Sequence, residues 1–295
     1  MSRTARPRRS VLYMPGSNAR ALEKARTLAA DGLILDLEDA VAPDAKPAAR
    51  AQVAAALSAG GYGTRELIVR VNGLDTPWGA DDLAMVARSP AHAVLLPKVE
   101  RKDMVEEVER RLAAAGAAAT LAIWCMMETP LGILHAEEIA GSSTRVGCLV
   151  MGTSDLAKDL HAAHTETRLP LLPSLGLALL AARAYGLAIL DGVHLDLADD
   201  AGFAASCRQG KELGFDGKTL IHPKTIAAAN EIFAPSPADV AWSRRIIAAH
   251  GEASGAGKGV VLVDGKLIEN LHVEEARRLV ALADAIQALA AAAAA

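Results

Sequence analysis

The sequence predicts an α/β protein that folds as a (β/α)8 TIM barrel with a C-terminal helical extension or lid. Three observations lead to this prediction: eight short apolar runs, segments of helical periodicity between them, and no glycine-rich dinucleotide fingerprint after the first run. Runs that are apolar on consecutive residues are typical of parallel strands covered on both faces. Eight strand–helix units favour a closed barrel over an open, doubly wound sheet. The predicted strands are Ser10–Pro15, Leu33–Glu38, Glu66–Asn72, His92–Lys98, Thr120–Glu128, Val146–Gly152, Ala188–Leu195 and Gly217–His222.

The segments between the strands have the spacing of apolar residues that an α-helix requires. Examples are Asn18–Ala30, Lys46–Ala59, Arg101–Ala115 and Ala204–Leu213. After residue 233 the pattern changes, because Pro235 and Pro237 interrupt it before a further predicted helix. We therefore divide the chain into a barrel catalytic domain at residues 1–250 and a C-terminal extension or lid at residues 251–295.

The composition restricts the classes of function. The net charge is −4, with 31 basic and 35 acidic residues, and only 3% of the residues are aromatic, so nucleic acid is a poor partner. The three cysteines, Cys125, Cys148 and Cys207, lack the spacing of metal ligands and are interpreted as buried free thiols. No apolar run has the length of a membrane span or an export signal, so we expect a cytoplasmic protein without a membrane partner.

Polar residues stand where the predicted strands end, and the active site of this kind of barrel lies at the carboxyl ends of its strands. Glu128 closes the fifth strand and Asp155 follows the sixth, so the two carboxylates can approach one another. Mg²⁺ takes oxygen ligands, commonly one or two carboxylates, and keeps several water molecules. We therefore predict one Mg²⁺ ion between Glu128 and Asp155, with Mn²⁺ as an alternative. For Asp155, beside Thr153 and Ser154, a helix cap is the competing interpretation.

Arg70 ends the third strand after three consecutive apolar residues, and a guanidinium in such a position needs an anionic partner. That partner is either a substrate carboxylate or a structural pair with Glu38 or Asp39, which follow the second strand. Arg20 and Lys24 lie one turn apart on the first predicted helix. They could reach phosphates, but the residues alone favour an exposed basic helix face.

A series of short motifs occurs in order along nearly the whole chain. They are Arg9–Ser17, Asp36–Val41, Val69–Gly73, Leu96–Glu100, Met127–Pro130, Gly152–Leu156, Gly214–Lys218 and Ile221–Pro223. On these motifs the sequence resembles the citrate lyase β-subunit-like branch of the HpcH/HpaI aldolase family. That branch includes malyl-CoA lyases, citramalyl-CoA lyases and malyl-CoA thioesterases.

The resemblance implies a homo-oligomeric (β/α)8 barrel, a trimer or hexamer, with Mg²⁺ on Glu128 and Asp155. It implies that Arg70 binds the carboxylate of the substrate or the developing enolate. Glu38 and Asp39 complete the expected catalytic set, because they would surround the metal and Arg70.

The resemblance also concerns coenzyme A. It implies that Arg20 and Lys24 bind the phosphates of CoA, which replaces the interpretation of an exposed basic face. One motif departs from the family: its lyases carry a C-terminal Asp-Gly-Lys-Met-Ile-Asp run whose last aspartate acts in the site of a neighbouring subunit. Here residues 264–269 read Asp-Gly-Lys-Leu-Ile-Glu. Glu269 keeps the carboxylate on a longer side chain, and a displacement of ~1 Å can cost on the order of a hundredfold in rate.

The expected function is a reversible, Mg²⁺-dependent carbon–carbon lyase reaction. It cleaves a 3-hydroxy-carboxyacyl-CoA, such as malyl-CoA or citramalyl-CoA, into an acyl-CoA and a 2-oxoacid. Mg²⁺ would supply a Lewis acid and template, Arg70 would stabilise charge on the thioester oxygen, and Glu269 of a neighbour or a metal-bound water would exchange the proton on the acetyl carbon. Three alternatives stay open: hydrolysis of a malyl-CoA-type thioester, a CoA-independent pyruvate aldolase, and a non-catalytic subunit of a citrate lyase.

Overall fold

The protein is described from a computed structural model, which defines residues 6–255 and 260–294. Eight parallel strands form a closed barrel in which each strand pairs with its neighbours in chain order. The last strand pairs with the first, with Lys218 opposite Ser10, and this pairing confirms the predicted (β/α)8 barrel. The strands are β1 Ser10–Pro15, β2 Gly32–Asp36, β3 Glu66–Arg70, β4 Ala93–Leu96, β5 Ala122–Met127, β6 Val146–Met151, β7 Ala188–Asp191 and β8 Gly217–Leu220.

Helices follow the strands on the outside of the barrel. Several begin at a side chain that caps the first turn: Asn18 accepts a hydrogen bond from the Ala21 amide, and Thr129 accepts one from the Gly132 amide. These caps come within three residues of a strand end, so the chain turns sharply from strand to helix. The helices of the barrel are α1 Ala19–Ala25, α2 Lys46–Ala59, α3 Gly79–Ala87, α4 Lys102–Ala114, α5 Pro130–Leu134, α6 Ala136–Ala140, α7 Thr153–Asp159, α8 Leu172–Ala184, α9 Asp200–Leu213 and α10 Ile226–Phe233.

Both faces of the barrel strands are buried, which is why their sequences are apolar on consecutive residues. Side chains alternate along each strand between the barrel interior and the layer beneath the helices. The predicted buried thiols are confirmed, because all three cysteines are free and buried. The interior cluster consists of Val11, Ile34, Ile68, Ala93, Leu95, Trp124, Met126, Cys148, Val150 and Leu190.

The compact unit that contains the barrel runs from Arg8 to Phe233. Among the described residues, a second unit comprises 234–255 and 260–294 together with Arg6 and Pro7. The predicted division of the chain at residue 250 stays a prediction. None of the helices in the described part of the chain is long and apolar enough to cross a membrane.

Within the second unit, helix α11 (Pro237–Gly255) precedes a hairpin of β9 (Val261–Val263) and β10 (Lys266–Ile268), and helix α12 (Asn270–Ala294) follows. Asp264 and Gly265 connect the two strands with φ angles of 49° and 76°. A two-residue Asp-Gly connection with two positive φ angles is typical of a type I′ turn. The unit has a small apolar core of its own, built from Ile246, Val263, Ile268, Val273 and Ala276.

Candidate active site

Five of the sequence-predicted site residues lie at or just after the carboxyl ends of barrel strands: Glu38, Asp39, Arg70, Glu128 and Asp155. A cavity of about 880 Å³ opens there, along the loops that follow β2 to β6. This is the position that parallel barrels use for ligands. Its polar wall includes Glu38, Asn72, Lys98, Thr129, Asp155 and Lys158.

Arg70 is held in the barrel by a carboxylate that the sequence prediction did not choose. Its Nε and Nη2 donate to the two oxygens of Asp36 at 2.7 and 2.6 Å. Nη1 lies 2.9 Å from Glu38, whereas the exposed carboxylate of Asp39 lies 3.5 Å away. Glu38, one of the two partners expected for Arg70, is in contact with it, whereas the other, Asp39, lies at the periphery. The bidentate pair is made by Asp36 instead. The ring of Tyr13 covers the guanidinium at 4.9 Å.

The charge of Arg70 is fixed by these contacts. Burial by itself would lower the pKa of Arg70, but the hydrogen bonds and charge of Asp36, with Glu38, outweigh it and the pKa is raised. Burial also raises the pKa of the Tyr13 phenol. The guanidinium is therefore a permanent cation at the carboxyl end of β3, and its N–H groups that Asp36 and Glu38 do not use can donate to an anion.

Glu38 connects Arg70 to a second cation. Its other oxygen accepts a hydrogen bond of 3.1 Å from the Lys98 ammonium. Burial raises the pKa of Glu38 against the opposing effects of Arg70 and Lys98. Lys98 keeps about half of its side chain exposed, at 52%, and so lies at the wall of the cavity.

Glu128 follows β5 and is only 2% exposed. Its Oε1 accepts a hydrogen bond of 2.7 Å from the backbone amide of Lys98. Burial raises the pKa of Glu128 to about 7; the Lys98 amide and Arg70 act against this, whereas Glu38 and Asp155 add to it. A nearby cation would stabilise the ionised form of this buried carboxylate and lower its pKa.

The residues present fit a divalent metal ion. The carboxylates around Arg70 and Glu128 outnumber the two cations, Arg70 and Lys98, so negative charge is in excess when the acids are ionised. A divalent cation would offset that excess. The acids are Asp36, Glu38, Asp39, Glu128 and Asp155. Within the described residues no cluster of three or more metal-ligating side chains occurs. Two carboxylates, here Glu128 and Asp155, are nevertheless a normal protein contribution to Mg²⁺, which takes its other ligands from water and substrate.

Gly152, between β6 and α7, allows Glu128 to pack against the end of β6. A Cβ at this position would lie 2.4 Å from the Cβ and 2.5 Å from the Oε2 of Glu128. Only glycine therefore leaves room for Glu128 against the end of β6. Asp155 is the third residue of α7, which begins directly after Gly152. No side-chain cap is formed at the start of α7, so the helix-cap interpretation of Asp155 is wrong.

Three predicted residues remain. Arg20 and Lys24 are exposed on α1, outside the wall of the cavity. Glu269 belongs to the second unit, where its amide donates to His272 Nδ1 at 3.1 Å just before α12. The roles assigned to these three residues stay predictions.

Sequence reasoning missed two residues of the site as partners, Asp36 and Tyr13. The alternation of side chains between the two faces of a strand, with a period of two residues, could have identified both residues. Asp36 and Tyr13 lie two residues beyond the interior residues Ile34 and Val11, and Asp36 is directly opposite Arg70 in the register of β2 and β3. Alternation combined with register would have directed all three side chains into the barrel.

Comparisons with known proteins identify the family of the chain and agree with its barrel fold. Residues 9–223 match the family HpcH/HpaI aldolase/citrate lyase. A (3S)-malyl-CoA thioesterase of Cereibacter sphaeroides is 51% identical over 288 residues, which cover 98% of this chain and 99% of the relative. The citrate lyase subunit beta of Escherichia coli K12 is 36% identical, with coverage of 96% and 95%. Among solved structures, the protein CitE of Mycobacterium tuberculosis in complex with magnesium, acetoacetate and coenzyme A has a TM-score of 0.73 at 29% identity, covering 93% of this chain and 97% of that chain.

Proposed function

Because the chain belongs to the HpcH/HpaI aldolase/citrate lyase family, we propose that it is a Mg²⁺-dependent enzyme that hydrolyses the CoA thioester of a malyl-CoA-type substrate. The observation that carries the proposal is the buried Arg70 guanidinium beside an acid pair, Glu128 and Asp155, at the carboxyl ends of the barrel strands. Thioester hydrolysis is preferred to carbon–carbon cleavage because 51% identity to a thioesterase extends over nearly the whole chain. The order of the two hypotheses from the sequence is thereby reversed.

The metal belongs to this proposal. Glu128 and Asp155 would hold Mg²⁺, or alternatively Mn²⁺, and the ion would act as a Lewis acid and template for the carboxylate and hydroxyl oxygens of the acyl group. Arg70 donates hydrogen bonds to the thioester oxygen as negative charge develops on it. Asp36 keeps the guanidinium in the orientation that this role needs.

In hydrolysis, water adds to the thioester carbonyl, the carbon–sulfur bond breaks, and free CoA and the hydroxy-dicarboxylic acid result. We assign acceptance of the proton from water to Glu38, which faces the cavity and whose raised pKa suits a general base. The same proton then goes to the leaving CoA sulfur, so that free CoA leaves as the thiol. Asp39 stays close to Arg70 at the rim of the site. Arg20 and Lys24 are proposed to contact the CoA phosphates, and Glu269 is proposed to act in the site of a neighbouring copy in a homotrimer.

Carbon–carbon cleavage is the second candidate. The observation that favours it is the carboxylate retained at Glu269 in the C-terminal motif, together with the similarity to a citrate lyase subunit. In this reaction Arg70 would stabilise the enolate of the acyl-CoA product.

Product analysis separates the two candidates. The purified protein is incubated with malyl-CoA and Mg²⁺, and CoA species are followed by chromatography. Free CoA and malate are the expected products, whereas acetyl-CoA with glyoxylate would favour the lyase. Absence of turnover for either would contradict both candidates and return the chain to a non-catalytic subunit.

The metal site is tested with matched carboxylate variants. Glu128→Gln and Asp155→Asn are expected to lose Mg²⁺ binding, measured by calorimetry, and Mg²⁺-dependent turnover. Asp159→Asn is the control, because Asp159 lies on the same helix and on the cavity wall but is not an assigned ligand. Unchanged Mg²⁺ binding in Glu128→Gln would overturn the metal assignment.

A further inference from the structure

Lys98 has an unusual backbone for its residue type. It follows Pro97 directly after β4, and its φ angle is 49°. Left-handed backbone is uncommon outside glycine, asparagine and aspartate, because the side chain crowds the carbonyl group. Unlike Asp264, Lys98 does not lie in a two-residue hairpin turn. Strained residues of this kind occur where the surrounding structure imposes a conformation, and they concentrate at functional sites.

The neighbours of Lys98 hold this conformation in place. Pro97 has a φ angle restricted by its ring. Val99 is fully buried, and a Cβ on Gly132 of α5 would lie only 2.3 Å from the Val99 carbonyl oxygen. The backbone on both sides of Lys98 is therefore fixed, and α5 begins two residues after Glu128.

The left-handed turn directs the Lys98 amide to the metal-ligand candidate. The amide donates to Glu128 Oε1 at 2.7 Å. The second oxygen, Oε2, faces Gly152, directly before the helix that carries Asp155. One oxygen of the carboxylate is thus occupied by the protein, and the other is left on the side of Asp155.

We infer that Lys98 is a positioning residue whose left-handed backbone fixes Glu128 as a one-oxygen ligand directed toward Asp155. The inference rests on the metal site proposed above and adds the group that orients it. A Mg²⁺ site needs near-ideal octahedral geometry, so a carboxylate free to rotate would bind the ion less tightly. The ammonium of Lys98 contacts Glu38, whereas its amide contacts Glu128. The effect of removing the ammonium can therefore be measured separately from the effect of changing the backbone conformation.

The first experiment compares Lys98→Met with Lys98→Val. Both variants remove the ammonium, but only Val adds a β-branch that resists a positive φ angle. Mg²⁺ affinity of the purified full chain is measured by calorimetry. We expect the Met variant to bind within about threefold of the unsubstituted protein, and the Val variant to bind about tenfold more weakly. Equal Kd values for the two variants would overturn the inference.

A second comparison needs no metal and applies even when the Val variant fails to fold. At an ordinary position, replacing glycine by alanine stabilises a protein because it restricts the unfolded chain. At a left-handed position the order is reversed, so Lys98→Gly should have a higher Tm than Lys98→Ala in the presence of a chelator. A higher Tm for the Ala variant would show that the left-handed backbone is not required.

Failure of the metal site and failure of the positioning role of Lys98 give different results. If the unsubstituted protein binds no Mg²⁺, the proposed metal site fails and the inference about Glu128 fails with it. If it binds Mg²⁺ and the Met and Val variants bind equally, only the positioning role of Lys98 is lost.

Discussion

Replacing Asp36 by Asn perturbs the best-defined contact of the site, the bidentate pair with Arg70. Each carboxylate oxygen of Asp36 already accepts two hydrogen bonds. Oδ1 accepts from Arg70 Nε at 2.7 Å and from the Glu38 amide at 2.9 Å, and Oδ2 accepts from Arg70 Nη2 at 2.6 Å and from the Ala40 amide at 3.1 Å. In either orientation of the asparagine amide, its NH2 group lies against two N–H donors. It cannot accept a hydrogen bond from either of them.

The expected cost follows from burial. Asp36 is 1% exposed, and removing one partner of a buried ion pair costs ~3–5 kcal/mol. Arg70 keeps its contact with Glu38, so we expect the lower end, about 3 kcal/mol. For a domain of this size each kcal/mol corresponds to ~2–4 °C in Tm, so the expected decrease is roughly 6–12 °C.

Thermal unfolding followed by circular dichroism measures this decrease, with Asp39→Asn as the matched control. Asp39 is 60% exposed and 3.5 Å from Arg70, so its replacement should cost less than about 1 kcal/mol. The Asp36 variant should also lose on the order of a hundredfold in kcat/KM, because the guanidinium is no longer held in position. Similar Tm values for the two variants would refute the argument that Asp36 holds Arg70.

Two further predictions concern other parts of the barrel. Gly152→Ala places a Cβ 2.5 Å from Glu128 Oε2, so Mg²⁺ affinity measured by calorimetry should fall at least about tenfold; affinity equal to that of the unsubstituted protein would contradict the close approach. Burial by itself would raise the pKa of Asp191, but Lys218 and Arg168 outweigh it, and the pKa is lowered. The stability from this carboxylate is present above its unfolded pKa of ~3.9 and is lost as the pH falls through the lower folded pKa. Asp191→Asn should therefore reduce the slope of Tm against pH below about pH 4, and an unchanged slope would contradict the pairing.

The strands of the barrel could be predicted well because their signal is local. A parallel strand buried on both faces needs consecutive apolar residues, and β1 was predicted with its observed bounds, Ser10–Pro15. The predicted ends of β2 and β3 were too long by two residues. Beyond Asp36 and Arg70 the chain is still buried, and Leu37 still donates to the Arg70 carbonyl at 2.9 Å. Apolar composition therefore continues past the point where the regular ladder stops.

The candidate site could be predicted only in part. Glu128 and Asp155 follow neighbouring strands in the sequence, so their approach follows from the barrel once it is assumed. The partner of Arg70 could not be chosen by proximity in the sequence, because Asp36, Glu38 and Asp39 lie within four residues of one another. Only Asp36 lies within β2, directly opposite Arg70 in the register of β2 and β3, whereas Glu38 and Asp39 follow the end of the strand.

The sequence by itself determined the number and order of the strands and the residue types at their carboxyl ends. Only the tertiary structure decided that Asp36 pairs with Arg70, that Glu38 connects Arg70 to Lys98, and that the Lys98 amide donates to Glu128. The physical reason is that apolar periodicity is a property of a short segment of chain, whereas a hydrogen-bond partner depends on strand register and on closure of the barrel, which join residues far apart in the sequence.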